Sequence, residues 1–166
     1  IAAAYQLQTV APETLAAHWG RGDNPRIIRS LIEAQRAAKD EGALPLLLAL
    51  FERVEGEGRI DFERDILHYG RRAEGRMLQL LHADSRSLVM RAMDALAKMG
   101  SVAAGDSIAR LLQHPEPWLR ISAAHAVGEI GAVGAAAHLV AALDDITYSV
   151  VNAALVGLGR LKAMET

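Results

Sequence analysis

The chain has 166 residues, of which 51% are apolar and 23% are charged, so a sizeable core can form and gross disorder is excluded. The net charge of −2 excludes a bulk basic field that would attract nucleic acid or anionic lipid. Cysteine is absent, which excludes disulfides, thiolate nucleophiles and Cys-based metal sites, and an aromatic content of 4% favours helices packed through small residues.

Residues 1–23 fit no repeat, and we expect residues 1–43 to form an N-terminal helical cap or a segment of a preceding domain. A short helix is predicted over residues 14–19 and a longer one near 25–40, capped by Asn24 with Pro25 at its first position. The chain begins at Ile1 with no signal-like segment, which indicates a processed protein or a piece of a larger one. No apolar run is long enough to span a membrane, and we expect a cytoplasmic location.

A repeat array is predicted over residues 44–166. Its first unit, near 44–71, is the weakest and contains predicted helices near 44–55 and 60–71. Three further units, near 75–100, 103–131 and 133–162, follow one another without insertion, and their apolar residues recur at intervals of 31. Examples of this register are Met77, Ile108 and Leu139; Ala92, Ala123 and Ala154; and Leu96, Val127 and Leu158.

Each of these three units carries two apolar stripes at helical spacing, so each is predicted to be a helical hairpin. The predicted helices lie near 75–82, 86–99, 103–113, 117–130, 133–143 and 147–161. Neither helix of a pair is long enough to be stable alone, so the hairpins must bury their apolar faces on one another. The predicted fold is therefore all-α, a short α–α superhelix, or solenoid, of stacked hairpins.

The second helix of the best unit has a specific pattern over residues 117–131: an apolar–Arg pair at Leu119–Arg120, then Ala-Ala, then Ala-Val-Gly-Glu-Ile-Gly. This segment resembles a HEAT-like repeat of the subtype first described in phycobilisome lyases. In that family the arginine commonly braces adjacent repeats, and the second helices line the concave wall. The equivalent positions in the neighbouring units are Val89 and Val151, which depart from the pattern.

The sequence contains no pattern that indicates catalysis or a cofactor. Six histidines are present, but no His-Glu-x-x-His motif and no pair of histidines four residues apart. His125 and Glu129 are four residues apart, which fits an ordinary contact along one helix better than a metal site. Nucleophile and phosphate-loop motifs are also absent. We therefore expect no catalytic residue, no metal and no cofactor.

The second helices predict a surface for a partner. If their apolar stripes face the core, nine positions at 31-residue intervals form a three-by-three grid on the opposite face. The mixed charge of this grid suits a protein or an extended peptide better than a polyanion. Its members are Arg91, Asp94, Lys98, Ser122, His125, Glu129, Ala153, Val156 and Arg160.

The main hypothesis is a non-enzymatic scaffold that binds a protein or extended peptide on the concave wall, because stacked hairpins build a broad groove rather than a deep pocket. An alternative, implied by the repeat subtype alone, is a bilin lyase or chromophore-handling subunit, with acid–base groups from Asp94, His125 and Glu129. A third is a nucleic-acid-binding scaffold, which the neutral overall charge disfavours. Its basic residues would be Arg64, Arg71, Arg72 and Arg76.

Overall fold

The structure, a computed structural model, describes residues 43–53 and 59–164. Over these residues the chain forms α-helices and short 3₁₀ turns with no β-strand, which confirms the predicted all-α class. The helices predicted at 14–19 and 25–40 lie outside the described residues. The chain divides into two compact units, residues 1–73 and 74–166, and the predicted boundary after residue 43 stays a prediction.

The described helices lie close to the predicted ones. In chain order they are α1 (Ala43–Arg53), α2 (Arg59–Tyr69), α3 (Arg71–Leu80), α4 (Arg86–Lys98), α5 (Gly105–Arg110), α6 (Pro117–Ile130), α7 (Ala136–Ala141) and α8 (Tyr148–Met164). The predictions near 103–113 and 133–143 need correction, because a six-residue α-helix with a 3₁₀ turn at each end replaces one continuous α-helix. Short helices commonly tighten in this way at their ends.

The first unit contains the hairpin of α1 and α2, which pack against each other. Leu47, Leu50 and Phe51 of α1 and Ile66 of α2 are fully buried. Leu50 and Phe51 follow Leu47 by three and four residues, which places all three on one helical face. The weak repeat signal in this part of the sequence therefore corresponds to a real helix pair.

The second unit has two layers of helices. The long helices α4, α6 and α8 lie side by side, while α5 packs on α6 and α7 packs on α8. The core between the layers is apolar at the predicted register positions, including Leu96, Ile108, Val127 and Leu139, all with no measurable exposure. Burial of these side chains against neighbouring repeats supplies the stability that the short helices lack alone.

Local sequence explains where the long helices begin and end. Ser85 caps α4 by accepting a hydrogen bond from the Leu88 N–H at 3.4 Å, and Pro117 opens α6 with its fixed φ. Gly131 ends α6 in the left-handed conformation, with φ of 74°, as predicted for this glycine. Gly100 follows α4 at the equivalent position with φ of 63°. The left-handed glycine thus recurs after 31 residues and ends both helices, whereas the residues that begin α4 and α6 differ.

Ala123 and Ala124 of α6 are both fully buried, as the repeat register predicts. We expect Ala123→Leu to overpack this contact and lower the free energy of unfolding by roughly 1–3 kcal/mol. Ala137, on α7, is exposed, so Ala137→Leu is the matched control and should change stability by less than about 0.5 kcal/mol. Thermal melts of both variants check the prediction. An Ala123→Leu variant as stable as the parent would contradict the register.

Candidate functional site

Two of the three predicted rows of the grid are exposed. In each row the residues come from α4, α6 and α8, and since these helices lie side by side, equivalent residues follow one another across the surface. We call these six residues the wall: Asp94, His125 and Val156 in one row, and Lys98, Glu129 and Arg160 in the other. Val156 is 39% exposed. The role of the wall as a partner site stays a prediction.

The third predicted row is not part of an open surface. Arg91 is only 8% exposed and Ala153 only 1%, and Ser122 between them is partly buried. The expectation that Arg91 lies exposed with the wall is therefore wrong. A charged head group suggested a solvated position, but packing around α4 covers the arginine, and its Nη2 atom is buried as well.

The wall carries alternating charge. In the second row a lysine, a glutamate and an arginine follow one another from α4 to α8. On α4, the Asp94 carboxylate accepts a hydrogen bond from the Lys98 ammonium at 2.6 Å, and both side chains are about half exposed. An exposed pair four residues apart contributes only about 0.3–0.5 kcal/mol, so both groups can exchange partners at low cost.

A buried ion pair holds α6 to the turn before α8. The Arg120 guanidinium donates to both carboxylate oxygens of Asp145, at 2.7 and 2.9 Å, and to the Thr147 hydroxyl at 3.3 Å. It also donates to the backbone carbonyls of His114 and Pro115 at 2.9 and 3.0 Å. The side chains of the pair are only 10% and 11% exposed. One side chain thus connects two successive repeats, as the resemblance implies for this arginine.

The pair shifts the titration of both partners. Its hydrogen bond with Asp145 raises the pKa of the Arg120 guanidinium, although burial opposes this shift. The hydrogen bond from Arg120 lowers the pKa of the Asp145 carboxyl, and the backbone N–H of Thr147, at 2.8 Å, acts in the same direction. Both groups are therefore held in their charged forms. The motif singled out Arg120 in the sequence, while Asp145 and Thr147 were missed because they lie 25 and 27 residues further along the chain.

Two glycines set the spacing between α6 and α8. A Cβ placed on Gly128 would lie 2.6 Å from the Cα of Gly157, so the two helix backbones approach as closely as these residues allow. A Cβ on Gly157 would in turn lie 2.9 Å from the carbonyl oxygen of Ala124. The α6 and α8 residues of the wall are consequently held on a rigid pair of helices.

The basic residues of the third hypothesis lie on two helices that follow one another in the chain, α2 and α3. Arg64, Arg71 and Arg72 belong to the first unit and Arg76 to the second, and all four are exposed. Arg76 is already engaged, since its guanidinium donates to the Gln79 side chain at 3.0 Å. Nucleic-acid binding therefore stays a prediction without a described site.

Within residues 43–53 and 59–164, no group of three or more histidine and acidic side chains could hold a metal ion. His125 and Glu129 are both exposed on α6, and no third ligand of this type completes a site with them. Over the same residues, no helix combines the length and the apolar character needed to cross a membrane.

Comparison with known proteins supports the repeat assignment. Residues 74–159, a little more than half of the chain, match the family described as HEAT repeats. No curated protein matches the chain. HEAT repeats generally mediate contacts between proteins, and the matched residues cover most of the two-layered second unit and every wall residue except Arg160. The chain belongs to the HEAT repeat family.

Proposed function

We propose that this protein is a non-enzymatic scaffold whose wall binds a protein or an extended peptide on the concave side of the array. The observation that carries the proposal is the exposure of two aligned rows of side chains on three neighbouring helices. The buried side chains of α4, α6 and α8 explain their stacking, whereas folding does not require the wall residues. They are therefore available to a partner.

The dimensions of the wall fit an extended segment. Packed helices are about 8–10 Å apart, so a row of three residues spans roughly 16–20 Å. An extended chain rises about 3.3 Å per residue, and five or six residues cover that distance. The second row, positive, negative and positive, would complement a segment whose charges alternate in the opposite order. Val156 in the first row offers an apolar contact beside these charges.

The rigidity of the α6–α8 pair supports the same proposal. The Arg120–Asp145 pair and the close approach of Gly128 to Gly157 keep the two helices at one spacing. A preorganised surface loses little conformational entropy when a partner binds, so weak individual contacts can add up to useful affinity.

The test is a double variant, Asp94→Ala with His125→Ala. Both side chains are exposed, and we expect the free energy of unfolding to change by no more than about 0.5 kcal/mol. The variant should recover fewer partners than the parent in a pull-down from the source-cell lysate. The control carries the same residue types elsewhere on the surface, His68→Ala with Asp144→Ala. A wall variant that folds and recovers every parental partner would contradict the proposal.

The phycobilisome-lyase subtype of the repeat forms a finer part of the proposal. It is supported by the pattern over residues 117–131 and by Arg120, which links successive repeats. Bilin attachment remains the alternative function, with Asp94, His125 and Glu129 as its acid–base groups. Absorbance and fluorescence after mixing with phycocyanobilin test it. A spectral change that is seen with the parent, and that is lost in Asp94→Ala or in His125→Ala, would favour the lyase over the scaffold.

A further inference from the structure

A groove of about 560 Å³ lies between two successive turns of the second unit, away from the wall. One side is the turn before α4, with His82, Ala83 and Asp84, and the other is the turn before α6, with His114 and Glu116. Each of these turns joins the first helix of a repeat to its second helix, and the two repeats are adjacent. The groove is therefore a junction between repeats.

The next junction in the chain is closed by Arg120. Counting back 31 residues, Arg120 corresponds to Val89 and Asp145 corresponds to His114, and both of these residues line the groove. The two carbonyls that Arg120 contacts, those of His114 and Pro115, correspond to the carbonyls of Ala83 and Asp84. The groove is thus the same slot without the arginine that fills its neighbour.

The groove lacks the carboxylate of that junction, since His114 stands in place of Asp145, but it has other features that can hold a guanidinium. Its floor is apolar, since Leu81, Val89 and Leu119 are each 3–4% exposed, and it suits the methylene stem of an arginine. Its edge carries the carboxylates of Asp84 and Glu116, both exposed. Carboxylates and turn carbonyls are the groups that pair with the planar fork of a guanidinium.

The charges around the groove also favour a cation. Two carboxylates face one guanidinium, that of Arg86, which lies 3.7 Å from the Glu116 carboxylate. Both of these side chains are more than half exposed, so this pair contributes little and can be exchanged at low cost. Glu116 makes no side-chain cap on α6, which leaves its carboxylate for other partners. The His114 ring accepts a hydrogen bond at Nδ1 from the Glu116 N–H at 3.1 Å.

We propose that this groove binds an arginine side chain of a partner protein, which takes the place that Arg120 occupies in the next repeat. The stem lies on Leu81, Val89 and Leu119, and the guanidinium is held between Asp84 and Glu116. This site is separate from the wall, and its test does not depend on the scaffold function being correct. Arginine residues that enter fitted pockets commonly dominate the energy of a protein interface.

The test titrates a capped glycine–arginine–glycine peptide into the full chain. Binding is measured by the changes in the chain's backbone amide chemical shifts. We expect shifts at residues 82–86 and 114–119, and none with the peptide in which citrulline replaces arginine, because citrulline has the same shape without the charge. Glu116→Gln should lower the affinity for the arginine peptide roughly two- to fivefold, as expected for an exposed charge pair. Asp144→Asn, which removes a carboxylate of the next turn, is the control and should have no effect.

A second variant tests the slot itself. In Val89→Arg the new side chain should fill the groove from within, abolish the peptide-induced shifts and leave the melting temperature unchanged or higher. Equal shifts with the citrulline peptide, equal affinity for a lysine peptide, or arginine-induced shifts outside the groove would each overturn the proposal. If Val89→Arg does not fold, the response of Glu116→Gln still decides it.

Discussion

Replacing Asp145 with alanine is expected to lower the free energy of unfolding by about 1.5–3 kcal/mol, the range for a hydrogen bond to a charged group. The variant leaves the Arg120 guanidinium without its carboxylate, although the carbonyls of His114 and Pro115 and the Thr147 hydroxyl still accept hydrogen bonds from it. Urea unfolding measures the effect. Asp144, the neighbouring residue, is exposed, so Asp144→Ala is the matched control and should change stability by no more than about 0.5 kcal/mol.

The same pair predicts a pH dependence. Because the pKa of Asp145 is lower in the folded protein than its ordinary value of 3.8, its contribution to stability is fully present above that value. As the pH falls below it, the unfolded chain takes up a proton that the folded chain does not, and the contribution is lost as the pH passes through the folded pKa. Arg120 stays protonated throughout this range and adds no pH dependence.

Urea midpoints of the parent and of Asp145→Ala, measured from pH 7 to pH 3, check this prediction. The difference between the two proteins should be constant down to about pH 5 and should shrink below it. A difference that stays constant to pH 3 would show that the carboxylate charge contributes nothing. A double-mutant cycle with Arg120→Ala separates the pair from the other hydrogen bonds of each residue.

Gly128→Ala is the second large expected effect, and its sign is opposite to that of an ordinary helix substitution. Alanine in place of glycine within a helix usually stabilises by about 1 kcal/mol. At Gly128 the added Cβ would lie 2.6 Å from the Cα of Gly157, so α6 and α8 must separate, and we expect a net loss of roughly 1–3 kcal/mol. Gly159 of α8 has nothing within 4 Å of its added Cβ, so Gly159→Ala should stabilise.

Thermal melts of the two alanine variants compare the same chemical change in two environments. The Gly128→Ala melt should shift downward and the Gly159→Ala melt upward. A stabilised Gly128→Ala variant would mean that the two helices can separate without loss of packing, and would remove the argument that their spacing is rigid.

Much of the fold could be predicted because the same pattern of apolar residues occurs three times in the sequence. The helix over 117–130, the burial of Ala123 and Ala124, and the left-handed turn at Gly131 all follow from periodicity and local capping, which depend on residues close together in the sequence. The exposure of His125 and Glu129 follows from the same helical geometry.

Other features depended on contacts that periodicity does not report. Arg91 is buried although its residue type predicted exposure, because packing around α4 covers its stem. Arg120 meets Asp145 and Thr147 only because the array brings successive turns together. The groove beside Val89 exists for the same reason.

The spacing of apolar residues along the chain is enough to predict the all-α class, the hairpin units and the positions of the helical faces. It does not predict which side chains of one repeat meet those of the next. A helical period places a residue around the axis of its own helix, whereas the distance to the neighbouring repeat depends on how the helices stack, as at Gly128 and Gly157.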